Sequence, residues 1–170
     1  MQRNKVFNEL KEITQTYSRF LEKIPAATFQ QTPAAGGWSY SEVYSHIFDA
    51  SILSLQAAAS CKTTGELNKP TSFVVKVVLF FGTFPPAARY KVPKMLESRV
   101  HKISPEEATV LMHSFLVQLE KYAPVILHTG SNLKVKHPRL GFLNASQWMR
   151  FIVIHLKHHL KQLRRIEKRS

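Results

Sequence analysis

The stretch Trp148–Ile166, WMRFIVIHLKHHLKQLRRI, is the most informative part of this chain for its architecture. Placed on a helix at about 100° per residue, it separates into an apolar stripe and a basic side. The apolar stripe carries two histidines, and buried imidazoles need polar partners. The pair therefore requires an explanation. The stripe comprises Trp148, Ile152, His155, His159, Leu163 and Ile166, and the basic side comprises Arg150, Lys157, Lys161, Arg164 and Arg165.

The spacing of His155 and His159 is suited to metal binding. Residues four apart on a helix have Cβ atoms about 5–6 Å apart, so two imidazole nitrogens can approach one ion at about 2.0–2.1 Å each. Two ligands make a poor site, and a third must come from another element. His158 projects to the shoulder of the helix and is a weaker candidate. The remaining histidines without a comparable grouping are His101, His113 and His128.

Three further amphipathic helices are predicted from apolar residues spaced three and four apart. The first runs from about residue 4 to residue 23 and is closed by Pro25. A serine or asparagine followed three residues later by glutamate or glutamine marks the start of the others. Pro124 should limit the length of the third helix. The capping pairs are Ser39 with Glu42, Ser104 with Glu107, and Asn144 with Gln147.

Four such helices, with no convincing alternating strand, predict an all-α four-helix bundle that occupies residues 1–170 as a single domain. The connection formed by residues 61–103 is both basic and apolar. Its stretch Phe73–Phe84 could be a strand by propensity, but a single strand has no partner, so we predict a short helix that packs on the bundle. The segment could also shape a substrate pocket or meet a second subunit in a homodimer. Its basic residues include Lys76, Arg89, Lys91 and Lys94.

A third inward-facing histidine, His46, lies on the predicted second helix, in a stripe with Val43 and Ala50. Together with His155 and His159 it offers three neutral nitrogen ligands and leaves a fourth position for water or substrate, as in catalytic metal sites. Imidazole suits zinc, nickel, iron and copper, so the ligands do not choose the metal. The alternative is three separate core histidines, each hydrogen-bonded to a neighbour.

Asp49 follows His46 by one helical turn. Its carboxylate could orient a ligand imidazole by accepting a hydrogen bond from it. A solvated position on the flank of the helix is the simpler interpretation.

The charge of the chain suggests a second class of function. Its 24 basic residues against 11 acidic ones give a net charge of +13, which would favour binding to nucleic acid or an anionic membrane. The charge is spread widely and accompanies no nucleic-acid-binding motif, so no specific nucleic acid partner is predicted. The alternative to an enzyme is therefore a protein that binds through its basic surface, with a structural metal or none.

Compartment and redox state follow from simple features. The first residues, MQRNKVFNELKEI, lack the apolar region of a secretory signal. No apolar stretch reaches the roughly 20 residues that span a bilayer. The single cysteine, Cys61, excludes an intramolecular disulfide and a cysteine-rich metal site. We expect a cytoplasmic protein without a transmembrane segment.

The residues around the histidines resemble the signatures of the DinB-like superfamily, and their order and spacing fit along most of the chain. The N-terminal signature is matched by Trp38-Ser39 with His46 in the following helix. The C-terminal signature is matched by His137-Pro138, Gly141, Gln147–Ile152 and His155–Gln162.

This resemblance implies a four-helix bundle of up-down-down-up topology with a divalent metal ion, such as zinc, nickel or iron, held by His46, His155 and His159. The superfamily includes bacillithiol transferases, mycothiol- or glutathione-dependent enzymes and metal-dependent hydrolases. The implied function is that of a metal-dependent thiol S-transferase or hydrolase that acts on a small molecule, with a low-molecular-weight thiol as a candidate substrate. Apart from the metal ligands, no serine, cysteine or carboxylate pair suggests a separate catalytic residue.

Overall fold

The computed structural model describes residues 2–34, 36–84 and 99–168, and most of these residues are helical. The basic residues Arg89, Lys91 and Lys94 of the connection lie outside these ranges. In chain order the elements are α1 (Gln2–Leu21), α2 (Ala26–Phe29), α3 (Tyr40–Thr64), β1 (Glu66–Leu67), α4 (Phe73–Phe81), α5 (Pro105–His128), β2 (Leu133–His137), β3 (Gly141–Asn144) and α6 (Ala145–Glu167).

The four long helices form a bundle around one apolar core. Helices α1 and α3 each pack against both α5 and α6. Two buried tyrosines join three of the helices, because Tyr17 Oη donates to the Leu156 carbonyl oxygen at 2.7 Å and Tyr44 Oη donates to the Tyr17 carbonyl oxygen at 2.8 Å. The predicted four-helix bundle is confirmed, whereas its up-down-down-up order stays a prediction.

The predicted helix starts are also confirmed. Helices α3, α5 and α6 each begin with a capping box, in which the N-cap side chain accepts from the backbone N–H three residues on. The side chain at that third position accepts in return from the N-cap backbone N–H. These contacts satisfy backbone donors that the helix itself leaves unpaired. The N-caps are Ser39, Ser104 and Asn144.

One predicted helix end is wrong. Helix α5 continues through Pro124 to His128. A proline removes one ladder hydrogen bond, but the residues beyond it pack on the bundle, and Ile126 is buried. The imidazole Nδ1 of His128 lies 2.7 Å from the Pro124 carbonyl oxygen and adds a bond in the last turn. Tertiary packing thus extends the helix past the residue that should limit it.

The expectation that the chain forms no strands is also wrong. A small antiparallel sheet has the order β1-β2-β3, with Glu66 opposite Lys134 and Val135 opposite Leu143. Gly141, at a φ of 73°, adopts the left-handed conformation that favours glycine where β3 begins. The sheet connects the end of α3 to the start of α6 and thereby helps to position the helix that carries the histidine pair.

Helix α6 is buried on more than its predicted stripe. Phe151, Val153 and Ile154 are buried as well, because α4 and β3 pack on this helix in addition to α1 and α3. Arg150, expected on the solvated side, is only partly exposed, and its Nε donates to the Leu79 carbonyl oxygen of α4 at 3.4 Å. The last helix is therefore covered by several elements and not along a single stripe.

The short helix predicted within Phe73–Phe84 is present as α4, but it packs on the bundle with one side only. Val75 and Val78 are buried, whereas Phe73, Phe80 and Phe81 are mostly exposed. In the described residues, none of the helices combines the length and apolar character needed to cross a membrane.

Candidate metal centre

Three histidines from two helices converge at the edge of the core. Helix α6 presents His155 and His159 one turn apart, and α3 contributes His46. One ring nitrogen from each lies within 4.8 Å of the others. His159 is buried, whereas His46 and His155 are partly exposed. The three residues identified from the sequence are therefore brought together, with access from solvent.

The position of His46 reflects how α3 is rotated in the bundle. The deepest face of this helix carries Tyr44, Ile47 and Phe48, each with no measurable exposure. Ala50 and His46, on the predicted inward stripe, are instead partly exposed. The imidazole consequently lies where α3 meets α6, at the margin of the core.

Hydrogen bonds fix the orientation of the His159 ring. Its Nδ1 lies 2.8 Å from Gln162 Oε1, and its Nε2 lies 3.1 Å from His155 Nε2. Because a carboxamide oxygen only accepts, Nδ1 of His159 carries the proton and its Nε2 presents a lone pair to the cluster. Gln162 was not singled out from the sequence, although its spacing of three from His159 places it on the same face.

His155 is less completely satisfied. Its Nδ1 is buried and makes no hydrogen bond within the described part of the chain. Its Nε2 faces the lone pair of His159 at 3.1 Å. Without a bound ion, these contacts leave His155 with one hydrogen bond at most. The Nε2 atom of His155 is therefore directed towards His159 and not towards a polar group of the surrounding fold.

Aromatic rings flank the cluster. Trp38 is stacked on His159, with centroids 6.1 Å apart and an interplanar angle of 10°, and its centroid lies 5.0 Å from that of His46. Phe151 is stacked on His155 at 5.3 Å and 24°. The sequence signature included Trp38 without a role, and the structure identifies it as one side of the site.

Burial keeps the cluster uncharged. It lowers the pKa of His46 from 6.5 to about 4, against the opposing effect of the Asp49 carboxylate. Burial also lowers the pKa of His155 and of His159 well below 6.5, and the neighbouring imidazoles add to this effect. At neutral pH all three rings therefore have a nitrogen lone pair, which is the form that binds metals.

Asp49 engages a different partner. Its two carboxylate oxygens accept from Nε and Nη2 of Arg99, both at 2.6 Å. Within the described residues no hydrogen bond joins Asp49 to His46, so its predicted role in orienting a ligand ring stays a prediction. On the flank of the helix, Asp49 is therefore paired with Arg99 and is not only solvated.

The other histidines lie apart from the cluster. His101, His113 and His128, which the sequence left without a grouping, are exposed. His158 is partly exposed and packs its ring against Phe84 at 5.4 Å between centroids. It is not one of the three converging histidines.

The cluster has the chemistry of a divalent metal site. Two nitrogens at about 2.0–2.1 Å from a tetrahedral ion lie about 3.3–3.4 Å apart, close to the 3.1 Å between the Nε2 atoms of His155 and His159. Neutral imidazoles suit zinc, nickel or iron. A bound ion would give the ring nitrogens of the three histidines a common partner.

Fold and site together define a helical-bundle protein with a three-histidine cluster between two of its long helices. The chain belongs to the DinB superfamily, whose family model matches residues 9–163. The resemblance noted in the sequence is thereby confirmed. No curated protein matches the sequence significantly.

Solved structures with the same fold include three at low sequence identity. TT2238, described as a four-helix bundle protein, is 16% identical with a TM-score of 0.60, over 96% of this chain and 98% of that chain. YfiT from Bacillus subtilis, described as a probable metal-dependent hydrolase with an unusual four-helix bundle topology, is 14% identical with a TM-score of 0.62, over 99% and 87%. A mutant of the mycothiol-dependent maleylpyruvate isomerase is 14% identical with a TM-score of 0.63, over 94% of this chain and 60% of that chain.

Proposed function

We propose that this protein is an enzyme that uses one divalent metal ion, bound by His46, His155 and His159, to transfer a low-molecular-weight thiol or to hydrolyse a small molecule. The observation that carries the proposal is the convergence of three neutral ring nitrogens from two helices within 4.8 Å. The partial exposure of His46 and His155 supports an open site that a substrate would reach, as in catalytic rather than closed structural sites.

The bound ion would supply Lewis acidity that lowers the pKa of a water or a thiol. The residues of the chain prepare the site for this. Burial keeps the imidazoles neutral. Gln162 holds the Nδ1 proton of His159, which directs the Nε2 lone pair into the cluster. Trp38 and Phe151 exclude water from two sides of the rings.

An external thiol is favoured because the protein has no reactive thiol of its own. Cys61 is buried, and burial raises the pKa of its thiol to about 11. Its Sγ donates to the Leu143 carbonyl oxygen at 3.7 Å, which makes it part of the core. The mycothiol dependence of one protein of similar fold and the hydrolase description of another support the two proposed reactions. A cytoplasmic setting, in which small thiols stay reduced, is part of the proposal.

The test is an activity screen of untagged protein. Glutathione, mycothiol and bacillithiol are each offered with a panel of electrophiles, and ester and amide substrates are offered with water alone. The protein is assayed as purified, after chelation, and after return of zinc, nickel or iron. We expect turnover that is lost on chelation and restored by one of the metals.

His155→Ala and His158→Ala form a matched pair, since both remove an imidazole from the same helix but only one belongs to the cluster. Turnover should be lost in His155→Ala and retained in His158→Ala. Activity that survives both chelation and His155→Ala would contradict the proposal. The substrates that react decide between transferase and hydrolase.

A further inference from the structure

Helix α4 exposes an apolar face, which we define as Phe73, Val74, Val77, Phe80 and Phe81. At about 100° per residue these five side chains fall within an arc of about 120°. Phe73, Phe80 and Phe81 are 79%, 80% and 70% exposed. The opposite side of the same helix is held on the bundle by Val75 and Val78. The exposed face is therefore presented outwards by a helix whose other side is fixed.

Large exposed apolar side chains grouped in this way mark interaction surfaces. Elsewhere in the described residues, the exposed large apolar side chains are Leu67, Val110 and Val117, and none of them is aromatic. Phe80 and Phe81 also contact each other edge to face at 5.2 Å. The apolar face is thus a contiguous patch and not a set of scattered residues.

Basic side chains lie beside the apolar face and near both ends of α4. Lys76 is exposed on the same helix, about 40° from Phe80 at the edge of the arc. Beyond the C-terminal end of α4, Gly82 and Thr83 line a cavity of about 170 Å³ together with Lys161 and Arg164 of α6. At the N-terminal end, Lys134 Nζ donates to the Lys69 carbonyl oxygen at 2.5 Å.

These cations are largely free to meet an external anion. Within the described part of the chain, Lys76, Lys161 and Arg164 form no salt bridge, whereas Lys69 pairs with Glu66 at 3.1 Å. The chain as a whole has a net charge of +13. The surroundings of the apolar face are therefore strongly positive.

We propose that the apolar face of α4 docks on an anionic phospholipid membrane surface. Phenylalanine and valine side chains would enter the boundary between headgroups and acyl chains, while the lysines and Arg164 face the lipid phosphates. The helix would lie in the plane of the interface and not span the bilayer. This surface is independent of the proposed metal centre.

Charge complementarity favours a lipid surface over a second copy of the chain. A symmetric dimer through this face would bring the same basic rim of each copy together, and like charges across an interface oppose association. An anionic membrane offers both the apolar phase and the opposite charge. Nucleic acid offers the charge without an apolar layer for the phenylalanines.

The test measures co-sedimentation of the full-length protein with vesicles of phosphatidylcholine alone and of phosphatidylcholine mixed with phosphatidylglycerol. We expect binding to the anionic vesicles that decreases with salt, and little binding to the neutral ones. The double variant Phe80→Ser, Phe81→Ser should weaken binding by at least about tenfold, because two apolar side chains no longer enter the interface. The substituted side chains are exposed, so the helical circular dichroism should be unchanged.

The matched control is Val110→Ser, Val117→Ser, which removes two exposed apolar side chains from one side of α5. This control should bind vesicles as the wild type does. Binding that is equal in the phenylalanine variant and the wild type would overturn the proposal, since charge alone would explain it. Absence of vesicle binding at low salt, or a dimer in analytical ultracentrifugation that the phenylalanine variant abolishes without any vesicle binding, would overturn it as well.

Discussion

Burial lowers the pKa of His137 as well as that of His46, His155 and His159, but the ring nitrogens of His137 and of the cluster meet different partners. Burial lowers the pKa of His137 to about 4, as it does for His46, and Arg139 adds to the effect. Yet Nδ1 of His137 accepts from the backbone N–H groups of Arg139 and Leu140, both at 3.1 Å. Its lone pair is used by the turn that follows β2.

In the cluster, one ring nitrogen of each histidine lies near the ring nitrogens of the other two. His159 Nε2 faces His155 Nε2 at 3.1 Å, and His155 Nδ1 has no hydrogen bond in the described residues. A lowered pKa therefore does not separate a structural histidine from a candidate ligand. What separates them is whether the local fold already occupies the lone pair.

The largest expected effect is the loss of metal binding when a cluster imidazole is removed. His155→Ala should weaken the affinity for Zn²⁺ by more than about a hundredfold, which exceeds the typical effect of removing a group that only supports a ligand. His137→Ala should leave this affinity unchanged, because its lone pair is used by backbone amides. Competition with a chromophoric chelator measures the Zn²⁺ affinity of both variants. An equal loss of Zn²⁺ affinity in the two variants would show that His137 and the cluster histidines do not differ in this respect.

A smaller effect is expected when the partner of His159 is removed. Gln162→Ala should weaken Zn²⁺ binding by about 10–100-fold, because Nδ1 of His159 loses the acceptor that fixes its proton and its ring orientation. Gln162→Glu keeps an acceptor oxygen at this position and should retain most of the affinity.

Gln118→Ala provides the control for loss of a side-chain amide. Gln118 Oε1 accepts from Gln56 Nε2 at 3.3 Å, away from the cluster. The same chelator competition should show wild-type affinity for this variant. Wild-type affinity in Gln162→Ala would mean that the hydrogen bond to His159 does not support metal binding.

The smallest effect should be a change in stability and not in metal binding. At pH 7, His137→Ala should lower the free energy of unfolding by about 1–2 kcal/mol, since two backbone N–H groups lose their acceptor. The ring also packs on Phe151 at 4.7 Å and on Trp148 at 5.0 Å between centroids. Urea titration followed by circular dichroism measures the difference.

The same variant has a defined pH dependence. His137 titrates near its ordinary value of 6.5 when unfolded and near 4 when folded, so the unfolded wild type binds the extra proton between these values. The wild type therefore loses stability from this group as the pH falls from 6.5 towards 4. The variant lacks the group, so its deficit relative to the wild type should shrink over that range. A deficit that grows on acidification would show that His137 is not buried as a neutral ring.

The sequence predicted the parts of the fold that depend on local chemistry. The stripe that contains His155 and His159 follows from helical periodicity, and the capping box at Asn144 depends on residues three apart. The apolar pattern of its own helix also identified His46 as a candidate ligand, although the pattern predicted a more deeply buried position than the structure shows. In each case the interacting residues are neighbours in the chain.

The features that were missed depend on contacts between distant residues. The sheet pairs Glu66 with Lys134, which are far apart in the sequence. The strand Leu133–His137 contains two lysines, so its sequence did not indicate that most of its residues are partly buried. Helix α4 is apolar on nearly all sides, so its periodicity could not show which side would stay exposed. Gln162 is different, because its spacing from His159 was visible and only its importance was overlooked.

The most direct test of the metal centre is a ring-nitrogen NMR titration of chelator-treated, ¹⁵N-histidine-labelled protein with Zn²⁺. We expect one ring nitrogen each of His46, His155 and His159 to change its chemical shift together and to saturate with a single ion per chain, while the signals of His137 stay in place. A titration that leaves the three rings unchanged, or that shifts His137 or the exposed histidines instead, would contradict a metal site at this cluster.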